Sequence, residues 1–215
     1  MKIAIDGPAG SGKSTVSKIL AKKLNIEYLD TGAMYRTCTL HLLKNNINLD
    51  SLKEIKKSLD KMDFEIRNNN FYLENKNINK EIRKSKINEN VSKVASYKFI
   101  RKKMVELQKQ IAKRKDVIMD GRDIGTHVLP NADYKFYLDA SVEQRAKRRF
   151  NEMKENGKKV KFKEILESIK KRDKKDMNRK HAPLTKAKDA TVIDTTNLNI
   201  NQVIEKIMME VNADD

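Results

Sequence analysis

The feature that most constrains the fold is a glycine-rich octapeptide near the start of the chain. Residues 7–14 read GPAGSGKS and match the phosphate-binding pattern G-x-x-x-x-G-K-[ST]. An apolar run at residues 2–6 precedes them, and a helix is predicted over residues 13–24 because apolar side chains recur there at helical spacing. A strand, a glycine-rich loop and a helix in this order indicate a phosphate-binding loop (P-loop) rather than a glycine-rich turn without a ligand.

The chemistry of such a loop explains its composition. Glycines let the backbone wrap closely, so that its N–H groups point at phosphate oxygens, and the N-terminus of the following helix adds a positive dipole end. Lys13 is expected to reach the β- and γ-phosphates of a nucleoside triphosphate, and the Ser14 hydroxyl is expected to ligate Mg²⁺. The motif predicts triphosphate binding but does not identify a second substrate.

Apolar runs along the chain predict an α/β fold with a five-stranded parallel sheet. The expected strands are residues 2–6, 26–30, 116–120, 134–139 and 190–194. Helical patterns separate the strands, which is typical of parallel sheets. A final helix is expected to turn one stripe toward the core, made of Ile200, Val203, Ile204, Ile207, Met208 and Val211.

A first insertion, residues 31–115, is too long for a single crossover between parallel strands. Within it the segment FEIR-NNN-FYLE alternates apolar and polar residues on both sides of a turn, which predicts a β-hairpin. Its facing residues would be Phe64 and Ile66 on one strand and Phe71 and Leu73 on the other. The rest of the insertion is expected to be helical.

A second insertion, residues 141–180, predicts two highly charged helices over residues 141–156 and 162–180. A capping box of Ser141 and Gln144 is expected to open the first helix. These helices could close as a lid over the P-loop. We expect one domain that consists of a core and the two insertions, with the core made of residues 1–30, 116–140 and 181–215.

Composition excludes several classes of protein. Hydrophobic residues make up 38%, and no apolar run approaches the length of a membrane span. The opening residues MKIAIDG lack the apolar region and cleavage site of a signal peptide, and the single cysteine, Cys38, has no partner for a disulfide. We therefore expect a soluble, cytoplasmic protein that does not contact the membrane.

The formal net charge of +17 could reflect a nucleic-acid partner, a polyanionic small substrate or a bias toward lysine. Lysines are scattered through every segment, aromatic residues make up only 6%, and no basic stripe interleaved with aromatic residues is visible. We therefore expect no nucleic-acid partner. The arginines are more informative, since a guanidinium group makes forked contacts with phosphate.

Arginines and carboxylates gather in four motifs that could bind an acceptor. DTGAMYR leaves the second strand through an expected Thr-Gly turn and ends in Arg36, and IMDGRD carries Arg122 and Asp123 at the end of the third strand. Ligands of doubly wound sheets bind outside such strand ends. The charged helices add VEQRAKRR and KRDKKDMNR, which contain Arg145, Arg148, Arg149, Arg172, Asp176 and Arg179.

These residues also have a plainer interpretation. The arginines of the charged helices could form salt bridges on solvated faces, which contribute little individually. Arg36, and Arg101 on a polar helix of the first insertion, could be ordinary surface residues. Asp123 could be a turn former. Convergence with the P-loop favours a site instead, because phosphoryl transfer needs several cations around the transferred group.

The chain resembles the bacterial cytidylate kinases in seven motifs: IAIDGPAGSGKST, YLDTGAMYR, DGRDIGT, FYLDAS, RRFNE, RDKKDMNR…APL and VIDTT. These motifs span nearly the whole chain, and DTGAMYR, DGRDIGT and RDxxDxxR are specific in combination. The resemblance implies a nucleoside monophosphate kinase fold with a monophosphate-binding insert, a small antiparallel sheet within that insert and a mobile lid. It also implies transfer of a phosphoryl group from ATP to CMP or dCMP with Mg²⁺.

The resemblance further implies roles for individual residues. ATP would be bound by Gly7, Pro8, Ala9, Gly10, Ser11, Gly12, Lys13, Ser14 and Thr15. CMP would be bound by Thr31, Arg36, Ser92, Arg101, Arg122, Asp123, Arg172, Asp176 and Arg179. Catalysis would depend on Lys13, Arg122, Arg145, Arg149, Arg172 and Arg179, with Ser14 on the metal.

Within this set, five residues would determine how the acceptor is bound. The resemblance places Arg36 and Arg122 on its phosphate and turns Arg172 and Asp176 toward its ribose hydroxyls. Asp123 would read the base, because a carboxylate can accept a hydrogen bond from the exocyclic amine of cytosine but repels the carbonyl oxygen of uracil.

Several alternatives stay open. The acceptor could be that of another P-loop kinase, such as shikimate or dephospho-coenzyme A, and a P-loop protein that binds RNA without turnover could also use the positive charge. Asp120 could organise the waters of Mg²⁺ or hold Arg122 in place. His181 is expected to be structural, and the chain is expected to be a monomer.

Overall fold

The computed structural model describes residues 1–67, 70–155 and 157–213. Its strands are β1 (Lys2–Asp6), β2 (Glu27–Asp30), β3 (Phe64–Arg67), β4 (Asn70–Leu73), β5 (Lys76–Asn77), β6 (Val117–Gly121), β7 (Tyr134–Asp139) and β8 (Thr191–Asp194). Its helices are α1 (Lys13–Lys23), α2 (Thr31–Lys44), α3 (Leu52–Leu59), α4 (Ser85–Val94), α5 (Lys98–Arg114), α6 (Val142–Glu155), α7 (Phe162–Met177) and α8 (Ile200–Asn212). The chain divides into two compact units: the first is Met1–Leu29 with Lys109–Asp215, and the second is Asp30–Gln108.

A five-stranded sheet organises the first unit, in the order β2-β6-β1-β7-β8. β1 pairs in parallel with β6 and β7, and β7 pairs in parallel with β8. The register sets Asp6 opposite Gly121, so the strand that leads into the P-loop ends beside the DGRD motif. The predicted α/β fold is confirmed, and every strand lies within one residue of its expected bounds.

The core of this unit lies between the sheet and helices α1 and α8. β1 and β6 are buried along almost their whole length, as strands covered by helices on both faces must be. α8 contributes four buried side chains: Val203, Ile204, Ile207 and Val211. The predicted stripe is wrong at Ile200, which is the first residue of the helix and is exposed.

In the second unit, α2 follows β2 directly. The Asp30 carboxylate accepts the N–H of Ala33 at 2.8 Å and caps the helix, so the helix begins at Thr31. The predicted Thr-Gly turn is therefore wrong. The strand end and the helix cap are the same residue, and a capped helix start needs no intervening turn.

The predicted hairpin of the second unit is confirmed. Phe64 pairs with Leu73 and Ile66 pairs with Phe71, in antiparallel register. Residues 68 and 69 of the expected turn lie outside the described residues. β5 adds a short third strand beside β4, in a stretch that was expected to be helical.

The two charged helices are present as α6 and α7. α7 ends at Met177 with Asn178 as its C-cap, so the prediction that it reaches residue 180 is wrong and Arg179 lies beyond the helix. Residue 156, the expected end of the first charged helix, lies outside the described residues. Neither these helices nor any other helix in the described part of the chain is long and apolar enough to cross a membrane.

Only half of the predicted capping box at the start of α6 forms. Ser141 Oγ accepts the N–H of Gln144 at 3.2 Å. The N–H of Ser141 is donated to Thr196 Oγ1 at 3.0 Å, so it is taken by the segment after β8 rather than by the Gln144 side chain.

Candidate active site

Residues 7–12 form the loop between β1 and α1, as the P-loop motif predicts. Gly7 has a φ of 148°, and a Cβ there would lie 2.1 Å from the carbonyl oxygen of Leu138, so only glycine fits beside β7. The carbonyl oxygen of Gly12 accepts the N–H groups of Thr15 and Val16, which starts α1 immediately after the loop. The backbone therefore makes the close strand-to-helix connection that a phosphate cradle requires.

Lys13 is almost fully buried at the start of α1. Its ammonium group donates to the carbonyl oxygen of Pro8 at 2.6 Å and to Ser11 Oγ at 3.1 Å. Burial lowers the pKa of Lys13 well below its usual range, and the positive charges of Arg122 and Arg172 lower it further. A bound polyanion would relieve this repulsion, which is the electrostatic property expected of a phosphate site.

Asp120 joins the P-loop helix to the end of β6. Its carboxylate accepts hydrogen bonds from the hydroxyls of Ser14 and Tyr28, both at 2.7 Å. A hydroxyl and a carboxylate so placed fit Mg²⁺, which binds few protein oxygens and completes its shell with phosphate oxygens and water. No group of three or more His, Cys, Asp or Glu among the described residues could hold a metal alone.

Asp176 on α7 holds two arginines that the sequence marked. Arg122 donates through Nε to Asp176 Oδ2 at 3.0 Å, and Arg179 donates through Nη2 to Asp176 Oδ1. Burial would raise the pKa of Asp176, but Arg122, Arg179 and Arg172 outweigh burial and hold that pKa below its usual value. Three guanidinium groups thus surround one carboxylate, and the excess charge is positive. Asp176 is thus a carboxylate that holds Arg122 in place.

Asp6, at the end of β1, fixes the DGRDIGT segment. Its carboxylate oxygens accept the N–H groups of Ile124 at 2.9 Å and Gly125 at 2.8 Å, where residues Ile124–Val128 form a π-helical turn. Burial raises the pKa of Asp6 to about 6, against the two backbone hydrogen bonds, and the charge of Asp123 raises it too. Asp123, the expected reader of the base, is buried at the start of this turn.

The arginines of α6 differ sharply in their surroundings. Arg145 is buried, and its guanidinium is engaged by the carbonyl oxygens of Ala9 and Ala140 and by Asp173. Arg149 is 43% exposed and pairs with Glu152 at 3.0 Å. The plain interpretation as a surface salt bridge therefore fits Arg149 but is wrong for Arg145.

The third arginine of this helix, Arg148, contacts the segment after β8. It donates to the hydroxyl of Thr195 at 3.1 Å and to its carbonyl oxygen at 2.5 Å. The Thr195 hydroxyl in turn lies 3.3 Å from the carbonyl oxygen of Ser11 in the P-loop.

The second unit contains an arginine–carboxylate cluster of its own. Arg36 donates through Nη2 to both oxygens of Asp30, at 3.1 and 2.9 Å, and Arg83 donates to Asp30 Oδ2 at 3.1 Å. Burial would raise the pKa of Asp30, but the charges of Arg36 and Arg83 keep it below its usual value. Arg36 is thus held in a buried ion pair and is not an ordinary surface residue.

The other predicted residues of this unit are also buried. Arg101 donates to the carbonyl oxygen of Ala95 at 3.2 Å, and its guanidinium carbon lies 5.4 Å from the centre of the Tyr35 ring. Thr31 and Ser92 are almost fully enclosed. The interpretation of Arg101 as a surface residue is therefore wrong.

The predicted residues divide between the two units. The first unit holds the P-loop residues with Arg122, Asp123, Arg145, Arg149, Arg172, Asp176 and Arg179, and the second holds Thr31, Arg36, Ser92 and Arg101. Four charged residues in these networks were not identified from the sequence: Asp6, Asp30, Arg83 and Asp173. Asp6 gave one signal, since it is an acidic residue that ends a buried strand directly before the P-loop.

Comparison with known proteins gives a consistent result. The family model described as Cytidylate kinase matches residues 3–213. A cytidylate kinase of Fusobacterium nucleatum subsp. nucleatum is 52% identical over 209 residues, which cover 97% of this chain and 96% of that protein. A cytidylate kinase of Clostridioides difficile is 48% identical over 210 residues, which cover 98% of this chain and 97% of that protein.

A solved structure supports the fold independently. The crystal structure of an uncharacterized protein from Eubacterium ventriosum superposes with a TM-score of 0.54 at 15% sequence identity, and it covers 99% of this chain and 98% of its own. At this identity the likeness concerns the fold alone.

Proposed function

The chain belongs to the cytidylate kinase family, and we propose that it transfers the γ-phosphoryl group of ATP to CMP or dCMP, giving ADP with CDP or dCDP. The observation that carries this proposal is the burial of Lys13 near Arg122 and Arg172, beside the P-loop. Phosphoryl transfer depends mainly on positioning and on charge around the transferred group, and these cations supply that charge. The names of the two bacterial relatives support cytidine as the nucleoside of the acceptor.

Magnesium would enter with ATP. The Ser14 hydroxyl and the Asp120 carboxylate, which are hydrogen-bonded at 2.7 Å, are the oxygens that would hold it, directly or through water. When bound, the ion would neutralise part of the charge of the phosphates. In this proposal Asp120 serves the metal, and Asp176 is a carboxylate that holds Arg122.

Arg122 and Arg36 would each bind the acceptor phosphate. Both guanidinium groups are pre-oriented by a carboxylate, so less conformational entropy is lost when an anion binds. Arg172 and Asp176 would face the ribose hydroxyls, with Arg179 near the phosphates. Asp176 would then have two roles, since it also holds Arg122 and Arg179 in place.

The base would be distinguished mainly by Asp123. Its carboxylate can accept a hydrogen bond from the exocyclic amine of cytosine and repels the carbonyl oxygen that uracil has there. Thr31, Ser92 and Arg101 would complete the surroundings of the base. Asp6 would support this selection by fixing the turn that follows Asp123.

The remaining features follow from the same proposal. The two helices α6 and α7 would move as a lid that excludes water. Arg149, which is exposed on α6, would contact the ATP phosphates when the lid closes. ATP and the cytidine monophosphates would be the partners, without a nucleic acid or a membrane. The enzyme would act as a monomer in the cytoplasm.

Product analysis tests the proposal directly. The wild-type chain, incubated with ATP, CMP and Mg²⁺, should form CDP and ADP in equal amounts, and chelation of Mg²⁺ should stop the reaction. Lys13→Ala should lower kcat by roughly 10²–10³-fold, since a charge aimed at the transition state is lost. The matched control is Lys22→Ala, an exposed lysine on the same helix. A wild-type chain that makes no CDP, or a Lys13→Ala variant with normal kcat, would contradict the proposal.

A further inference from the structure

Two charged side chains from the helices before β8 hold both peptide groups of one P-loop residue. Arg145 on α6 donates through Nη1 to the carbonyl oxygen of Ala9 at 2.9 Å, and Asp173 on α7 accepts the N–H of Ala9 at 3.3 Å. The two side chains also form an ion pair, with Arg145 Nη1 at 2.5 Å from Asp173 Oδ2, and both are almost fully buried. One ion pair therefore sets the orientation of the Ala9 backbone.

The same ion pair is anchored to the sheet. Arg145 Nε donates to the carbonyl oxygen of Ala140, the residue after β7, at 2.9 Å. Gly10 permits this approach, because a Cβ at Gly10 would lie 3.2 Å from the Cβ of Arg145, which is tighter than an ordinary contact. The planar fork of an arginine can serve two carbonyl oxygens and a carboxylate together, whereas a lysine ammonium on a flexible stem cannot hold that geometry.

The ion pair has a consequence for phosphate binding. Because the Ala9 N–H donates to Asp173, it is not directed at a phosphate, and phosphate binding is left to other N–H groups of the loop. A buried ion pair adds little net stability, because the loss of hydration offsets most of the attraction. Its position on Ala9 therefore favours a role in loop geometry over a role in stability.

We propose that Arg145 and Asp173 are positioning residues that hold the P-loop in its phosphate-binding conformation and so set the affinity for the nucleoside triphosphate. Arg145 would then act through Ala9 rather than on the ATP phosphates. The pair also connects α6 and α7 to the loop, so a shift of these helices would move the Ala9 backbone. The kinetic test of this proposal rests on the proposed function, because it needs turnover of CMP. The ATP-binding test does not need turnover.

Direct titration with ATP, without an acceptor, tests this proposal. Asp173→Asn and Arg145→Lys should each raise the Kd for ATP by about tenfold, the effect of losing one to two net hydrogen bonds. The matched control is Glu167→Gln, which removes an exposed ion pair with Lys170 on the same helix as Asp173 and should leave the Kd unchanged. We call the Arg145–Asp173 ion pair the clamp. If Asp173→Asn and Arg145→Lys leave the Kd for ATP unchanged, whatever their Tm, the proposal is overturned.

A double variant separates positioning from stability. Arg145→Met combined with Asp173→Leu leaves no unpaired buried charge, so its Tm should recover relative to the single variants. Its Kd for ATP should stay raised, because the contacts to Ala9 are still missing. Recovery of both the Tm and the Kd would mean that the pair is only structural and would overturn the proposal.

Kinetics complete the test. In the single variants the KM for ATP should rise while the KM for CMP stays within about twofold, and an equal rise in both would indicate general loosening and would overturn the proposal. If the wild-type chain makes no CDP but the variants still lose ATP affinity, the proposed function fails and the clamp stands. If the wild type makes CDP and the variants bind ATP normally, the clamp fails and the function stands.

Discussion

Each of the two units contains one aspartate that holds two arginines, and the two clusters differ in burial. In the first unit, the Asp176 side chain is 1% exposed, and its partners Arg122 and Arg179 are largely enclosed. In the second unit, Asp30 is also buried, but one of its partners, Arg83, is 55% exposed. The Asp176 cluster thus fixes two cations away from water, whereas the Asp30 cluster fixes one and leaves the other mostly solvated.

The two clusters show how a carboxylate acts beside an anion site. One carboxylate between two guanidinium groups leaves a net positive charge while it restrains both side chains. Where all three groups are buried, removal of the carboxylate leaves cations unpaired in a poorly hydrated environment, which is costly. Where one partner is exposed, water and salt compensate for most of the loss.

The largest effect is expected for Asp176→Asn. This change should destabilise the fold by about 3–5 kcal/mol, because it removes a buried negative charge that pairs with both Arg122 and Arg179. It should also lower kcat/KM for CMP by more than the loss of stability explains, since both arginines lose their orientation. Urea denaturation and steady-state kinetics on the same preparation would check this. A variant as stable as the wild type would mean that the cluster is hydrated and that the comparison is wrong.

The next largest effect concerns Asp6, whose ionisation changes the stability of the fold in the opposite direction from that of Asp176 and Asp30. Asp176 and Asp30 have lowered pKa values, so they stabilise the fold above pH 4 and lose that contribution as the pH falls through their folded pKa. The pKa of Asp6 is instead raised from 3.8 to about 6. Ionisation of Asp6 therefore costs stability, absent below pH 3.8 and complete above pH 6, with a size of about 3 kcal/mol at 1.36 kcal/mol per pKa unit.

The measurement is the free energy of unfolding of the wild type minus that of Asp6→Asn, from pH 4 to pH 7. This difference should fall by about 3 kcal/mol as the pH rises. The Asp6→Asn variant should also lose activity, because the turn after Asp123 loses an acceptor for one of its two N–H groups. If the free energies of unfolding of the wild type and Asp6→Asn changed in parallel with pH, the pKa of Asp6 would not be raised.

The smallest effect is expected for Arg83→Gln. Arg83 is mostly exposed, so its ion pair with Asp30 should contribute less than about 1 kcal/mol to stability. Arg36 keeps its own contact with Asp30, so the KM for CMP should stay within about twofold of the wild-type value. A tenfold rise in KM would show that Arg83 itself binds the acceptor and that the second cluster acts through both arginines.

The fold was largely predictable from local pattern. The P-loop motif and the apolar runs identify all five parallel strands, because buried strands and a strand–loop–helix unit leave strong signals over a few residues. The hairpin was readable from alternation at Phe64, Ile66, Phe71 and Leu73. The errors occur where a cap decides a boundary, as at Asp30 before α2 and at Asn178 after α7.

The candidate site was predictable in its arginines and less so in its carboxylates. Spacing alone could not distinguish Arg145 from Arg149, one helical turn apart, although one is buried against the P-loop and the other is exposed. Asp173 stands in a run of charged residues, and its contact with Ala9 lies 164 positions away in sequence. Such pairings depend on how helices pack on the sheet, which no local pattern encodes.

The choice of acceptor is tested by kcat/KM values for a panel of acceptors with ATP and Mg²⁺. CMP and dCMP should be phosphorylated far more efficiently than UMP, AMP, shikimate and dephospho-coenzyme A, and Asp123→Ala should narrow the preference for CMP over UMP. A wild-type chain that phosphorylates UMP, AMP or shikimate as well as it phosphorylates CMP would contradict the proposed function.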